Sequence, residues 1–175
     1  DFIDVAVNPT KTTEVAVSSY SEEPLSIFNN DSVTLYNDLN STIEFTESGN
    51  GWSLVSSVSY DLDGNLWALN GYTDKPLNVR DANGDWMNFD CGQSARNIYT
   101  KKMIIDFNDQ IWFASENKGL FGYNHNGSIN NSSDDQYVQL TSGSNSGNLP
   151  SDNVTAIAAD FDGEIWIGTD AGFAI

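Results

Sequence analysis

The sequence predicts an all-β chain, a partial β-propeller of about three and a half four-stranded antiparallel blades. Three observations lead there. First, one pattern occurs three times, at Val58–Trp67 (VSYDLDGNLW), Ile104–Trp112 (IIDFNDQIW) and Ile157–Trp166 (IAADFDGEIW). Each is an apolar strand, an Asp-led turn and a [Leu/Ile]-Trp pair, and Trp67, Trp112 and Trp166 recur at intervals of 45 and 54 residues. Second, the segments after the turn (Leu66–Leu69 and Ile165–Gly168) are continuously apolar, which predicts strands covered on both faces, as in a sheet stacked between two others. Third, no stretch keeps a helical period. Four-stranded units of roughly 40–50 residues with both faces covered are the signature of propeller blades.

The elements follow in order. A degraded copy opens the chain at Val5–Val17, with Ala16 in the tryptophan position. The segment Tyr20-Ser-Glu-Glu-Pro24-Leu25 echoes Tyr72-Thr-Asp-Lys-Pro76-Leu77 behind the next hairpin. The second copy predicts strands at Leu54–Tyr60, Leu66–Leu69, Leu77–Arg80 and Trp86–Phe89, with tight turns at Asp61–Asn65 and Asn83-Gly84. The third predicts Met103–Ile105, Ile111–Ala114, Leu120–Tyr123 and Tyr137–Leu140, with an insertion before the last. The fourth is expected to stop after two strands. Repeats then span about 1–50, 51–95, 96–150 and, incomplete, 151–175 of a single propeller fragment, with flanking blades expected beyond it. Because closure is what removes sheet edges, two copies of such an arc are expected to pack face to face.

Composition excludes several functions. With 7 Lys+Arg against 25 Asp+Glu the formal net charge is −18, which repels nucleic-acid phosphates and anionic lipid headgroups. No apolar run approaches the ~20 residues of a membrane helix, so no membrane insertion is expected. The 21 Asn, 20 Ser and 14 Gly suit a turn-rich, packed chain. Cys91 is the only cysteine, which excludes an internal disulfide framework and a Cys-rich zinc site. No charged-then-apolar leader opens the chain, so an export signal is expected to have been removed or to lie outside it.

The candidate chemistry is modest. The Asp-x-Asp-Gly turns (Asp61, Asp63; Asp160, Asp162) invite a Ca²⁺ reading, but a calcium loop needs about 6–8 oxygens. The apolar strand that follows at once favours hairpin turns with Gly64 and Gly163 at positive φ; no cofactor is expected. Ser133–Gln136 reads as a solvated acidic loop. His125, the single histidine, has no second His for a metal pair and reads as a turn residue. Cys91 has no neighbouring cation until Arg96 and reads as an inert, partly buried thiol. No nucleophile elbow, phosphate loop or dinucleotide fingerprint is present. Trp67, Trp112 and Trp166, with Gly64 and Gly163, are expected to be structural anchors of the repeat. Trp52, Tyr72 and Trp86 lie outside that slot and are the candidates for ligand stacking. The six Asn-x-Ser/Thr sequons (Asn30, Asn40, Asn126, Asn130, Asn131, Asn153) are expected by chance in so Asn- and Ser-rich a chain.

Residues 148–175 (NLPSDNVTAIAADFDGEIWIGTDAGFAI) resemble the two-component-regulator propeller repeat. Its pattern has a Leu-Pro opening, an Asp-x-x-Gly-x-[Ile/Leu]-Trp hairpin and an Ile-Gly-Thr close. That repeat builds periplasmic sensor regions of hybrid histidine kinases and exported proteins of Bacteroidetes-type bacteria. A broader resemblance is to the PorZ family of type IX secretion accessory proteins. It rests on the opening DFIDVAVNP, on Gly64–Trp67 followed by Lys75–Leu77, and on Ser132–Tyr137 followed by Leu149-Pro150. It implies a longer cell-surface chain of two propellers and a C-terminal β-sandwich, working with the sortase machinery that removes signals and attaches lipopolysaccharide. The third hairpin departs from the repeat, with Asn108-Asp109 in place of an Asp/Asn-Gly pair. The resemblance therefore implies a non-catalytic binding and scaffold propeller. It would be exported to the cell surface or periplasm, with protein partners of a secretion complex and lipopolysaccharide glycan as its contacts. The alternatives are the ligand-sensing propeller of a hybrid two-component kinase and, third, a glycan-active enzyme using a pair of its many carboxylates.

Overall fold

Segments rich in Val, Ile, Leu and aromatic residues, punctuated by Asp, Asn and Gly, become strands because β-branched and aromatic side chains fit a pleated, half-buried surface. A computed structural model describes residues 1–46 and 51–175; the repeat boundary expected near residue 50 lies partly outside the described residues. The chain divides into two units, Asp1–Asp90 and Cys91–Ile175.

The first unit holds two four-stranded meanders. In order these are β1 (Phe2–Val7), β2 (Glu14–Ser21), β3 (Leu25–Asn29) and β4 (Ser32–Tyr36), then β5 (Ser53–Tyr60), β6 (Leu66–Gly71), β7 (Leu77–Arg80) and β8 (Trp86–Phe89). A two-residue ladder, Tyr20↔Leu54 and Ser21↔Ser53, joins the C-terminal end of β2 to β5. Ala16, Leu25 and Ile27 of the first meander pack with Val58, Leu66 and Ala68 of the second, and Ile43 of the connecting segment completes the cluster. That segment is held by two fully buried asparagines: Asn70 Oδ1 accepts from the Glu44 N–H at 2.7 Å and Asn78 Oδ1 from the Thr42 hydroxyl at 2.8 Å. Asp4, beside an irregularity in β1, accepts from the Ser57 hydroxyl (2.6 Å) and the Val58 N–H (3.1 Å), tying β1 to the corresponding irregularity in β5.

The second unit holds β9 (Thr100–Ile105), β10 (Ile111–Ser115), β11 (Leu120–Asn124) and β12 (Gln136–Leu140), followed by β13 (Val154–Ala159), β14 (Ile165–Thr169) and β15 (Gly172–Ala174). Its core joins Ala114 and Leu120 to Leu149, Val154 and Ile167, with Trp112, Leu140 and Ile165 packed against it. The last sheet has three strands where the sequence reading expects two. The Thr169 hydroxyl closes the extra turn by bonding the Ala171 N–H and the Gly172 carbonyl, and Gly172 takes φ 140°.

The four hairpins superpose in register. Ala6↔Ala16, Ser59↔Trp67, Ile104↔Trp112 and Ala158↔Trp166 are equivalent pairs. In each unit the tryptophan position joins a cluster with the second strand of the next sheet: Ala16 shares one with Leu66 and Ala68, and Trp112 packs against one that holds Ile167. The expectation that every second strand is covered on both faces holds for β6, which is buried throughout. In β14, Trp166 is 41% exposed, and among the described residues no sheet of its own unit lies against that face.

Candidate functional site

The hairpin acids are positioned by their own turns. Asp61 Oδ1 accepts from the backbone N–H groups of Asp63 (3.1 Å) and Asn65 (2.8 Å), while Oδ2 accepts from the Trp67 indole at 3.0 Å. Asp106 repeats this with Asn108, Gln110 and Trp112 (2.8, 2.9 and 2.9 Å), and Asp160 with Asp162, Glu164 and Trp166 (2.9, 3.0 and 2.8 Å). One carboxylate thus closes the turn with one oxygen and orients the tryptophan six residues on with the other. The Trp166 indole and the turn N–H groups hold the Asp160 carboxyl below its ordinary range. Asn8 does the same turn-closing in the first hairpin, accepting from Thr10 and Lys11, where Ala16 needs no indole acceptor. Among the described residues no group of three or more His, Cys, Asp or Glu is placed to hold a metal ion.

The departure at Asn108-Asp109 has a structural counterpart. Asp109 occupies the position of Gly64 and Gly163 at φ 60°, and its Oδ2 lies 3.0 Å from His125 Nε2. His125 sits in its expected turn, yet its ring is buried. The acidic segment expected to be solvated is only partly so: Asp135 is half-buried and accepts a hydrogen bond from the Tyr123 hydroxyl. Burial first, then that carboxylate, raises the Tyr123 phenol far above its ordinary value. Cys91 is buried.

The three candidate stacking residues do not share a site. Trp52 and Tyr72 lie at one end of the first unit, just before β5 and just after β6. Thr46 links them, its N–H donating to the Trp52 carbonyl (3.0 Å) and its hydroxyl to the Gly71 carbonyl (3.2 Å). Each is 41% exposed; Tyr20 meets Trp52 edge-on at 5.1 Å, and Tyr72 is held at φ 59°. Trp86 lies at the opposite end, packed on Tyr36 at 5.3 Å and directly opposite Arg80, whose guanidinium sits 5.8 Å over the same Tyr36 ring. Trp86 is half-buried and packs against the first unit's core.

Beside Trp52 a groove of about 700 Å³ opens. Phe2 and Leu35 supply apolar wall, Ser19 and Ser21 hydroxyls 2.8 Å apart supply hydrogen-bonding floor, and Glu22 and Glu23 supply carboxylates at its mouth. Ser53, directly opposite Ser21 in the ladder, is fully buried, and its hydroxyl makes no hydrogen bond among the described residues. Sequence reading singled out Trp52 but missed these partners. The available signal was the echo of Tyr20–Leu25 in Tyr72–Leu77, which marks equivalent turns: Ser19 N–H donates to the Pro24 carbonyl (2.8 Å) as Asn70 N–H does to Pro76 (2.7 Å).

The solved structures decide the architecture. PorZ, a bacterial surface component of the type IX secretion system of Porphyromonas gingivalis, is similar over 99% of this chain with TM-score 0.83 and 24% identity. The fold is that of a β-propeller. The extracellular domain of a putative hybrid two-component system from B. thetaiotaomicron is similar over 98% of the chain (TM-score 0.64, 17% identity). Virginiamycin B lyase from Staphylococcus aureus is similar over 99% (TM-score 0.65, 15% identity). The chain spans 24%, 21% and 54% of those three chains, respectively. Residues 148–171 match the two-component regulator propeller model. No curated protein matches the chain.

Proposed function

We propose that this propeller is a non-catalytic binding and scaffold segment of an exported cell-surface protein. In this reading it acts with the type IX secretion and sortase machinery that attaches lipopolysaccharide. The observation that carries the reading is the similarity to PorZ along 99% of the chain, at a TM-score well above those of the sensor domain and the lyase. The hairpin acids support it from within: Asp61, Asp106 and Asp160 are engaged by their own turns and tryptophans. The ligand end is the groove at Trp52 with Tyr72 near it, where an aromatic plate, hydroxyls and carboxylates stand together as a sugar-bearing ligand requires.

Removing the gene from its host and following cargo delivery tests the role. Cargo retained with unprocessed signals is the expected result, and unchanged surface attachment overturns it. A glycan array with surface polysaccharides, read for the wild type and Trp52→Ala, tests the ligand end. The second reading, a sensor propeller, is favoured by the match at residues 148–171. A membrane helix and kinase domain downstream in the full gene would decide for it.

A further inference from the structure

The aspartate of each repeat hairpin closes its turn, and the residue beside it is apolar with no folding reason to be so. Leu62, Phe107 and Phe161 follow Asp61, Asp106 and Asp160, and are 83%, 62% and 97% exposed. Polar residues suit such a turn tip, and a side chain left in water gains nothing from the hydrophobic effect. In the second unit two of these tips meet: the Phe107 and Phe161 rings lie 6.2 Å apart, inclined by 30°. Beneath them Ala114 and Leu120 of one sheet share a core with Val154 and Ile167 of the other, yet both rings remain in solvent. Stacking one sheet on another covers sheet faces and leaves the hairpin tips bare. The tips are also rigid, because Asp106 and Asp160 each hold two backbone N–H groups of their own turn.

The same end of the unit carries one sign of charge. Asp109 Oδ2 lies 3.0 Å from His125 Nε2, which brings the β11–β12 connection beside the β9–β10 turn. Residues 106–110, 125–135 and 160–164 therefore gather at one end of the strands. They hold seven of the ten Asp and Glu between Cys91 and Ile175 and none of the four Lys and Arg. Lys101 instead bonds Asn153 Oδ1 at 2.9 Å where β9 and β13 begin, and Lys118 lies in the β10–β11 turn. We infer that this end docks a cationic segment of a partner protein, one that carries apolar side chains beside its Lys or Arg residues. The phenyl pair takes the apolar side chains and the methylene stems of Lys or Arg, whose charged heads reach the surrounding carboxylates. An anionic partner is repelled there, and a neutral glycan leaves the carboxylates without a counter-charge. A metal ion leaves the exposed rings unexplained. Rigid turns keep the ordering cost of docking low, and the opposed charges speed encounter. The inference does not rest on the proposed secretion role.

Anisotropy titration of the full-length protein with short labelled peptides tests it. A peptide of Arg-Leu-Gly repeats is expected to bind, and to bind less as salt rises. An Arg-Ser-Gly peptide of equal charge is expected to bind roughly tenfold more weakly, and a Glu-Leu-Gly peptide not at all. The double variant Phe107→Ser/Phe161→Ser alters only exposed rings and no charge, and is expected to lose roughly tenfold in affinity for the first peptide. Glu164→Gln is expected to weaken binding more than Glu116→Gln, the same change of charge in the β10–β11 turn. Equal affinity for the Arg-Leu-Gly and Arg-Ser-Gly peptides overturns the inference, since charge alone would then hold the ligand. So does an unchanged affinity in the double variant, an equal effect of the two Glu substitutions, or no binding of any peptide. Binding of neutral oligosaccharides that is lost in the double variant, with no binding of peptide, assigns this end to a glycan and overturns it too.

Discussion

Gly64 and Gly163 hold the same place in the repeat and nearly the same backbone angle, φ 85° and 89°, yet their surroundings differ. A Cβ on Gly163 would meet nothing within 4 Å. One on Gly64 would lie 2.5 Å from Thr10 Oγ1 and 3.2 Å from Asn8 Oδ1. Gly163→Ala is therefore expected to lose about 1 kcal/mol, the cost of the left-handed backbone for a residue with a Cβ. Gly64→Ala is expected to lose roughly 2 kcal/mol more, because the Asn8 turn must open to admit it. Urea unfolding of the two variants checks the difference, and equal losses would refute the account of Gly64. Asp61→Ala leaves the fully buried Trp67 indole N–H without its acceptor and is expected to cost about 2–3 kcal/mol. Asp61→Asn should lose less in the same assay, since Asn8 shows that an amide oxygen closes this turn.

At the scale of the hairpin, one motif yields unequal tryptophans. All three indoles bond their own aspartate, but Trp67 is fully buried while Trp166 is 41% exposed. Trp67→Phe is expected to cost about 2–3 kcal/mol through a lost hydrogen bond and an underfilled core, whereas Trp166→Phe should stay within about 1 kcal/mol. Thermal melts of both variants measure it; similar losses would mean that β14 is covered. The hairpins themselves were legible in the sequence, because an Asp bonding N–H groups two and four residues ahead and an indole six ahead is a local arrangement. Of the strands of the second and third copies, Leu77–Arg80 and Trp86–Phe89 have the limits read from the sequence, while β9 begins three residues earlier, at Thr100, and β6 runs on to Gly71. The third strand of the last sheet was not legible, since it depends on a two-residue turn closed by the Thr169 hydroxyl with no Gly-rich signal before Gly172.

For the molecule as a whole, stability should be greatest over a broad middle range of pH. Burial pushes the Glu14 and Asp81 carboxyls up, but hydrogen bonds outweigh it: Asn8, Lys11 and Tyr60 on Glu14, and Asp85 and Asn83 on Asp81. Both end below their ordinary range. Groups so depressed contribute stability that is present above an unfolded value of about 4 and lost as pH falls through the lower folded one. Burial and then Glu14 raise the Tyr60 phenol, whose contribution is present below about pH 10 and lost as pH climbs beyond it. Urea midpoints are expected to fall at both extremes. Tyr60→Phe should flatten the alkaline limb and, by removing one of the hydrogen bonds that lower Glu14, also weaken the acid limb; an unchanged alkaline limb would remove Tyr60 from the account.

By itself, the sequence determined the repeat and its hairpins, because those contacts join residues a few positions apart; the bond from each aspartate to its tryptophan came from the structure. Only the tertiary structure decided which aromatics are exposed. It placed Trp52 and Tyr72 at one exposed end and Trp86 against Tyr36, since exposure depends on which distant strand lies alongside. It also decided how far each strand is buried. The −18 charge lies largely in turns and loops, while strands whose apolar residues look alike in sequence differ in exposure according to the sheet that lies beside them.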